Sequence, residues 1–182
     1  RSLERIEGSV RRLMQMLDDM LVLAEMESGQ FKFTPQQVNI SELIASLVEE
    51  FQFTYQESHT LLFESTVTKE VAVDPLLIRQ IVSNLLSNAI KYSPSGNAVR
   101  ISLYGEDHML HLLVQDYGIG IPEHDLTRLF ELFHRASNVG KIRGSGLGLA
   151  IVKQAIDLHG GSIQVASQVN QGTQILVSLP IA

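Results

Sequence analysis

The sequence predicts an α+β protein: a mixed sheet of about five strands packed on three helices, preceded by one long amphipathic helix. Segments with helical periodicity alternate with short apolar runs, and paired runs flank turn-forming residues as in β-hairpins. Hydrophobic residues make up 45% of the 182 positions, which is enough for a substantial core. This length suits one domain of ordinary size with an appendage.

Composition excludes several classes of protein. There is no cysteine, so disulfides, thiol nucleophiles and thiolate metal sites are ruled out. The net charge of −6 argues against nucleic-acid binding, which depends on neutralising phosphates. No apolar run approaches the roughly 18 residues of a membrane helix, and the opening RSLERIEGSV is no signal peptide. Because the chain begins with Arg1 rather than Met, we expect it to be a fragment. Because it has no long apolar run, we expect that this fragment is not itself inserted in a membrane.

The first 28 residues are predicted to form one helix that ends before Gly29. Its apolar positions alternate in steps of three and four, which is a heptad seam. Such a seam must pack on its own domain, on another copy or on a further segment, and the strict heptad favours a coiled-coil or bundle helix. The seam consists of Leu3, Ile6, Val10, Leu13, Leu17, Met20 and Ala24.

The remainder is predicted as follows. Residues 31–38 are extended, and Asn39 with Glu42 forms a capping box that opens a helix. Asp74-Pro75 is an N-cap followed by proline at the first helical position, and that helix runs to Tyr92. Residues 117–144 form a glycine-rich loop. A loop of this length inside a compact domain is usually functional. The other predicted elements are strands at 61–67, 71–73, 99–104, 109–115, 163–167 and 174–179, and a helix at 145–159.

Three polar residues share one stripe of the helix from Pro75 to Tyr92. Asn84, Asn88 and Lys91 are spaced i, i+4 and i+7, so they face the same direction. Asparagine oxygens suit Mg²⁺ that keeps water and phosphate ligands, and a lysine can contact phosphate as a point charge. The pattern therefore indicates a polyanion site, although a solvated polar face has the same pattern.

Two glycine-rich segments could contact such a ligand. Asp116 ends an apolar strand, where an ionised carboxylate is a pure acceptor, and Gly118 and Gly120 allow a close approach of the backbone. A simple strand-ending turn would have the same residues. Residues 144–149 lead into a helix, and free N–H groups at a helix N-terminus bind anions.

The second glycine-rich segment differs from the common nucleotide motifs. It lacks the Gly-Lys-Ser/Thr of a Walker A loop, and no βαβ unit supports a Rossmann fingerprint. Arg135, Lys141 and Arg143 lie just upstream with no acidic residue among them. They form a local positive patch beside the predicted anion cradle.

Together these segments resemble the ATP-binding catalytic domain of sensor histidine kinases, which shares the Bergerat-type fold of gyrase, Hsp90 and MutL. Residues 35–181 carry the resemblance, in order: NLLSNAIKYS (84–93) is similar to the N box, DYGIG (116–120) and GSGLGLAI (144–151) to the two glycine boxes, and LFELF (129–133) to the phenylalanine box. Tyr117 stands where family members often have Asn. Gly172-Thr173 resembles the Gly-Thr element near the C-terminal end of the family's domain.

The resemblance implies ATP and Mg²⁺ as ligands, and it implies a role for each matching residue. Asn88 would hold Mg²⁺, assisted by Asn84. Lys91 and Arg135 would contact the phosphates, and Asp116 would accept the adenine amino group, supported by the hydroxyl of Thr173. Residues 121–143 would form a mobile lid anchored by Phe130 and Phe133. The remaining expected ATP-binding positions are Tyr92, Gly118, Gly120, Ile121, Phe133, Lys141, Arg143, Gly144, Ser145, Gly146, Leu147, Gly148 and Leu149.

The implied reaction transfers the γ-phosphoryl group of ATP to a histidine and then to an aspartate of a response-regulator receiver domain. None of the six histidines has the family's phosphoacceptor context. Residues 1–29 would therefore be only the second helix of the dimerisation and phosphoacceptor hairpin, and residues 30–182 the catalytic domain. The parent would be a homodimer with this part in the cytoplasm.

Two alternatives remain open. One is a non-catalytic nucleotide sensor, and the other is an ATPase of the gyrase or Hsp90 kind. Such an ATPase activates water with a glutamate where Asn84 stands, and asparagine cannot act as a general base.

Overall fold

The computed structural model describes residues 2–142 and 144–181. Its helices are α1 (Ser2–Glu27), α2 (Ile40–Tyr55), α3 (Pro75–Tyr92), α4 (Glu123–Leu126) and α5 (Gly148–Leu158). The strands are β1 (Gln36–Val38), β2 (Thr60–Ser65), β3 (Val71–Val73), β4 (Ala98–Glu106), β5 (Met109–Asp116), β6 (Ser162–Gln168) and β7 (Gly172–Pro180). None of the described helices is both long and apolar enough to cross a membrane.

Five strands form a mixed sheet in the order β2-β4-β5-β7-β6. Strands β2 and β4 are parallel, whereas the other neighbours are antiparallel. Alternate residues such as Ile101, Leu112 and Val177 point into one core shared with α2, α3 and α5. The predicted α+β sandwich is confirmed, and β1 with β3 forms a separate two-stranded ribbon.

Local capping sets where α2 and α3 begin. The Asn39 side chain accepts a hydrogen bond from the Glu42 amide, and the Asp74 carboxylate accepts from the amides of Leu76 and Leu77. Both N-caps are as predicted. Each cap side chain accepts from free N–H groups only two or three residues further along the chain, so the local sequence is sufficient to indicate it. Helix α3 ends at Tyr92, also as predicted, and its polar stripe is thereby placed on a well-anchored helix.

Asp74 also connects α3 to distant parts of the chain. Its second carboxylate oxygen accepts hydrogen bonds from the Thr34 amide at 2.9 Å and the Thr34 hydroxyl at 3.2 Å. The Asp74 amide donates to Nε2 of His159 at 3.1 Å, while Nδ1 of His159 donates to the Ala155 carbonyl at 2.8 Å. Burial, the main cause, lowers the pKa of His159, so the ring is neutral in this arrangement. These bonds hold the start of α3 against the end of α5.

The predicted seam of α1 is on its exposed face. Val10, Leu13, Leu17 and Met20 are all exposed, while the side chains of Leu3 and Ile6 lie outside the described residues. A different pair, Leu23 and Met26, is buried, and Leu23 packs with Leu147, Ala150 and Ile151. The end of α1 thus docks on α5, and the division of the chain at residues 29 and 30 stays a prediction.

The ends of most strands differ from the prediction by one or two residues, and two boundaries differ by more. Helix α5 begins at Gly148 rather than at Ser145, because Gly146 has φ +76°, which is incompatible with a right-handed helix. In residues 31–38, only Gln36–Val38 is a strand. The loop after β5 also contains the short helix α4, which the polar sequence of this segment did not indicate.

Candidate functional site

A cleft of about 470 Å³ opens between α3, the turn after β5, the described part of the lid (residues 121–142) and the start of α5. This volume is typical of a small-molecule site. Thirteen of the predicted ligand-binding positions, together with Arg135, line it: Asn84, Asn88, Lys91, Tyr92, Asp116, Gly120, Ile121, Gly144, Ser145, Gly146, Gly148, Leu149 and Thr173.

The two asparagines of α3 differ in their surroundings. The Asn84 amide donates to the Gln80 carbonyl at 2.8 Å. Its side-chain oxygen faces Gly148, where a β-carbon would lie only 2.7 Å from it. Asn84 is therefore fixed against the first residue of α5. The half-buried Asn88 has no side-chain hydrogen-bond partner among the described residues, so its amide oxygen is available to a ligand in the cleft.

Lys91 brings a positive charge to the start of the glycine-rich segment. Its ammonium lies 4.5 Å from the centroid of the Tyr92 ring, a cation–π distance. A β-carbon at Gly144 would overlap this ammonium. Glycine at position 144 thus lets the lysine approach the backbone where the predicted anion cradle begins.

Asp116 ends β5 with its side chain in the cleft. Burial, as the dominant cause, raises the pKa of this carboxyl above its ordinary value, while hydrogen bonds from the backbone amides of Gly118 and Thr173 oppose the rise. The Gly118 amide lies 2.8 Å from Oδ1. A β-carbon at Gly118 would overlap the Tyr92 carbonyl, so glycine is required there even though Gly118 does not line the cleft.

The Thr173 side chain differs from its expected role. Its hydroxyl lies 2.9 Å from the Ser167 hydroxyl, and it is the backbone amide of Thr173 that serves Asp116. The reason is register: Asp116 and Thr173 are paired residues on β5 and β7. Ser167 in turn accepts a hydrogen bond from the Ile121 amide at 2.9 Å, which fixes the start of the lid.

The glycine-rich segment wraps one end of the cleft through its backbone. Gly146 has φ +76° and accepts a hydrogen bond from the Phe133 amide at 3.1 Å. A β-carbon at Gly146 would lie 2.7 Å from the Phe133 carbonyl carbon, so only glycine fits. The Leu147 side chain does not line the cleft. It is fully buried against Leu23 of α1 and anchors the segment from behind.

The predicted lid cations and aromatics are not all in the site. Arg135 lines the cleft, and its guanidinium donates to the Ile142 carbonyl. Lys141 is exposed and does not line the cleft, and Arg143 lies outside the described residues. The expectation that Phe133 anchors the lid is wrong, because this residue is 53% exposed and does not line the cleft. Leu129 is the buried apolar residue among the described lid residues.

Several lining residues were not predicted. Gln80, Ser83 and Ser87 lie on the stripe of Asn84 and could have been found from the same helical spacing. Phe51 continues the apolar face of α2, and Asp19 reaches the cleft from α1. His134 also lines the cleft, with a side chain that is only 10% exposed. For Asp19 no sequence signal exists, because its position depends on how α1 docks.

Several known proteins are similar to this chain in sequence. The family model described as "Histidine kinase-, DNA gyrase B-, and HSP90-like ATPase" matches residues 73–182. Sensor histidine kinase WalK of Bacillus subtilis (strain 168) is 32% identical over 180 residues, which cover 96% of this chain and 29% of WalK. The chain spans about a third of the length of the curated relatives it matches.

Two solved structures are similar in fold. Full-length ShkA in complex with AMPPNP has a TM-score of 0.84 at 24% identity, covering 96% of this chain and 37% of ShkA. The mycobacterial sensor histidine kinase MprB has a TM-score of 0.68 at 35% identity, covering 82% of this chain and 98% of the MprB chain.

Proposed function

The chain belongs to the family of histidine kinase-, DNA gyrase B- and HSP90-like ATPases, and we propose that it is the ATP-binding catalytic part of a sensor histidine kinase. One observation carries this proposal. The cleft is lined by three segments far apart in sequence, at 84–92, 116–121 and 144–149. They supply an acceptor for a base, amides and a cation for phosphates, and free backbone N–H groups at a helix N-terminus.

Asp116 would select the base. An ionised carboxylate only accepts hydrogen bonds, so it pairs with the amino group of adenine and repels the carbonyl that guanine has at the same position. It is half-buried, which limits the access of water that would compete for this bond. Gly118 lets the backbone after Asp116 pass close to the Tyr92 carbonyl, and the Tyr92 side of α3 lines the site.

The residues of the cleft fit a Mg²⁺ ion carried by the nucleotide. In the described part of the chain, no group of three or more histidines and carboxylates is placed to hold a metal. The Asn88 amide oxygen is a hard, neutral donor. Mg²⁺ commonly keeps several waters and is bound by one or two protein ligands plus phosphates. Asn88 would be that protein ligand, and the bound ion would neutralise charge on the phosphates.

Phosphoryl transfer depends chiefly on positioning and on charge stabilisation. Lys91 and Arg135 supply positive charge at the cleft. The backbone of residues 144–149 and the N-terminus of α5 hold the phosphates through N–H groups. Asn84 donates its amide to Gln80 and has no carboxylate, so it cannot activate water. This residue favours a kinase over an ATPase of the gyrase kind.

The acceptor would be the imidazole of a histidine on a phosphoacceptor helix of the same kinase. Its nitrogen attacks the γ-phosphorus, and ADP leaves. The phosphoryl group then passes to an aspartate of a response-regulator receiver domain. The exposed seam of α1 is consistent with a homodimeric helical hairpin in the parent. We place this reaction in the cytoplasm, where ATP is available.

Transfer can be tested by mixing the chain with a separately produced phosphoacceptor hairpin and ATP labelled at the γ-phosphate. We expect acid-labile phosphohistidine on the hairpin, and none with Asn88→Ala or Asp116→Ala. Asp157→Ala is a matched control, because it removes a carboxylate that pairs with Lys153 on the surface of α5. Unchanged nucleotide affinity in both cleft variants would overturn the proposal. Binding without transfer to any hairpin would favour a nucleotide sensor.

A further inference from the structure

A polar cluster lies inside the lid, next to Arg135. Asp125 of α4 is 6% exposed. Its Oδ2 accepts hydrogen bonds from the amide of Ser137 at 2.7 Å and from the hydroxyl of Ser137 at 2.8 Å. Its Oδ1 faces Nε2 of His134 at 3.5 Å. We call Asp125, His134 and Ser137 the lid cluster.

His134 is the member of this cluster that reaches the cleft. Its side chain is nine-tenths buried and lines the cavity. The two residues beside it contact the site, since the Phe133 amide bonds to the carbonyl of Gly146 and Arg135 lines the cleft. The imidazole therefore lies where the lid meets the phosphate cradle.

The ring is not satisfied within the protein. Nε2 of His134 is buried and has no hydrogen-bond partner among the described residues, and at 3.5 Å the Asp125 oxygen is an ionic neighbour rather than a close acceptor. A buried polar atom without a partner is unfavourable. A purely structural histidine would instead resemble His159, whose two ring nitrogens both have partners.

We propose that His134 binds the nucleotide phosphates as an imidazolium, with Asp125 as its positioning residue; this rests on the proposed function. Histidine changes charge between about pH 5 and 8, and an imidazolium has two N–H donors. The Nε2–H group would be directed to Oδ1 of Asp125, and the Nδ1–H group would donate to a phosphate oxygen. A phosphate in the cleft adds a second negative charge near the ring, so binding draws a proton onto it.

The other ionisable groups around the ring agree with this direction. Glu131 is near enough to His134 for a charge interaction, and its carboxylate is paired with Arg128 at 2.9 Å. His124 lies 3.5 Å from the other oxygen of Asp125. Asp125 is thus the carboxylate closest to the imidazole of His134, and Glu131 adds a more distant negative charge. Arg128 is paired with Glu131, and the guanidinium of Arg135 donates to the Ile142 carbonyl. Nucleotide binding would therefore be coupled to uptake of a proton by the lid.

The test compares ADP with adenosine by calorimetry near pH 7, in buffers of different ionisation enthalpy. The variants are His134→Phe, His134→Gln and Asp125→Asn. We expect both His134 variants to bind ADP about tenfold or more weakly, the range for a hydrogen bond to a charged group, and to bind adenosine as wild type does. The proton uptake of the wild type should be absent from His134→Phe, and Asp125→Asn should have no further effect in that background.

His111→Phe is the matched control. His111 contacts Ser178 and stacks on Tyr104, away from the cleft, so ADP affinity should be unchanged. Wild-type ADP affinity and proton uptake in His134→Phe would overturn this inference alone. An equal loss of ADP and adenosine would also overturn it, because the base site would then be disturbed. Failure of the wild type to bind either ligand would overturn the proposed function as well.

Discussion

Replacing Asp74 by alanine should destabilise the protein by about 2–3 kcal/mol. The N-cap bonds to Leu76 and Leu77 account for about 0.5–2 kcal/mol of this loss. The bonds to the amide and hydroxyl of Thr34 add about 0.5–1 kcal/mol each. This is at the low end for a hydrogen bond because Thr34 is exposed and water can replace the lost acceptor. Urea unfolding at pH 7 would measure the difference as a shift in midpoint with an unchanged slope.

Two variants separate these contributions. Asp74→Asn keeps an acceptor oxygen for the helix cap but turns an amide towards the donors of Thr34, so it should lose about 1 kcal/mol. Thr34→Val removes only the hydroxyl bond and should lose about 0.5–1 kcal/mol. A loss below about 1 kcal/mol for Asp74→Ala would refute the reasoning, because the capping bonds and the two bonds to Thr34 together should exceed it.

Three further predictions concern pH and the glycine-rich segment. Because the pKa of His159 is lowered by burial, the folded state resists a proton that the unfolded chain accepts, and unfolding experiments should show stability falling as pH drops below about 6.5. Burial raises the pKa of Asp116. As the pH is lowered, ADP affinity should therefore begin to fall at a higher pH than it would with an aspartate of ordinary pKa. Asp116→Ala, lacking that carboxyl, supplies the baseline for the titration of the nucleotide itself. Gly146→Ala should lower stability by about 1–3 kcal/mol, because its φ is +76° and a β-carbon would crowd Phe133, and ADP binding should weaken with it.

Features that depend on neighbouring residues could be predicted from the sequence. The N-caps at Asn39 and Asp74 join a side chain to amides two or three residues away. The stripe of Asn84, Asn88 and Lys91 follows from helical geometry. For these elements local chemistry and tertiary packing favour the same structure, so the pattern was sufficient.

Features set by tertiary contacts could not be predicted in the same way. Helix α5 starts late because Gly146 takes a left-handed conformation and bonds to Phe133. The sequence of the segment does not specify that bond, and helical periodicity extends through it. The family resemblance implied that Phe133 anchors the lid, but this residue is 53% exposed.

Helix α1 shows the limit of a heptad pattern. The pattern identified a continuous apolar seam, yet the residues that dock on the domain are Leu23 and Met26. Leu23 is buried because Leu147, Ala150 and Ile151 of a distant segment offer an apolar surface. Periodicity indicates which residues share a face, but not which face a neighbouring element will cover.

The central claim is that residues 84–92, 116–121 and 144–149 form one binding site for Mg²⁺ and ATP. The most direct measurement is an NMR titration of the ¹⁵N-labelled chain with Mg²⁺ and AMPPNP, following backbone amides and asparagine side chains. The account predicts the largest shifts at the amides of Gly118, Gly120 and residues 144–149 and at the side chain of Asn88. Amides unchanged in those segments, or shifts confined to another surface of the protein, would contradict it.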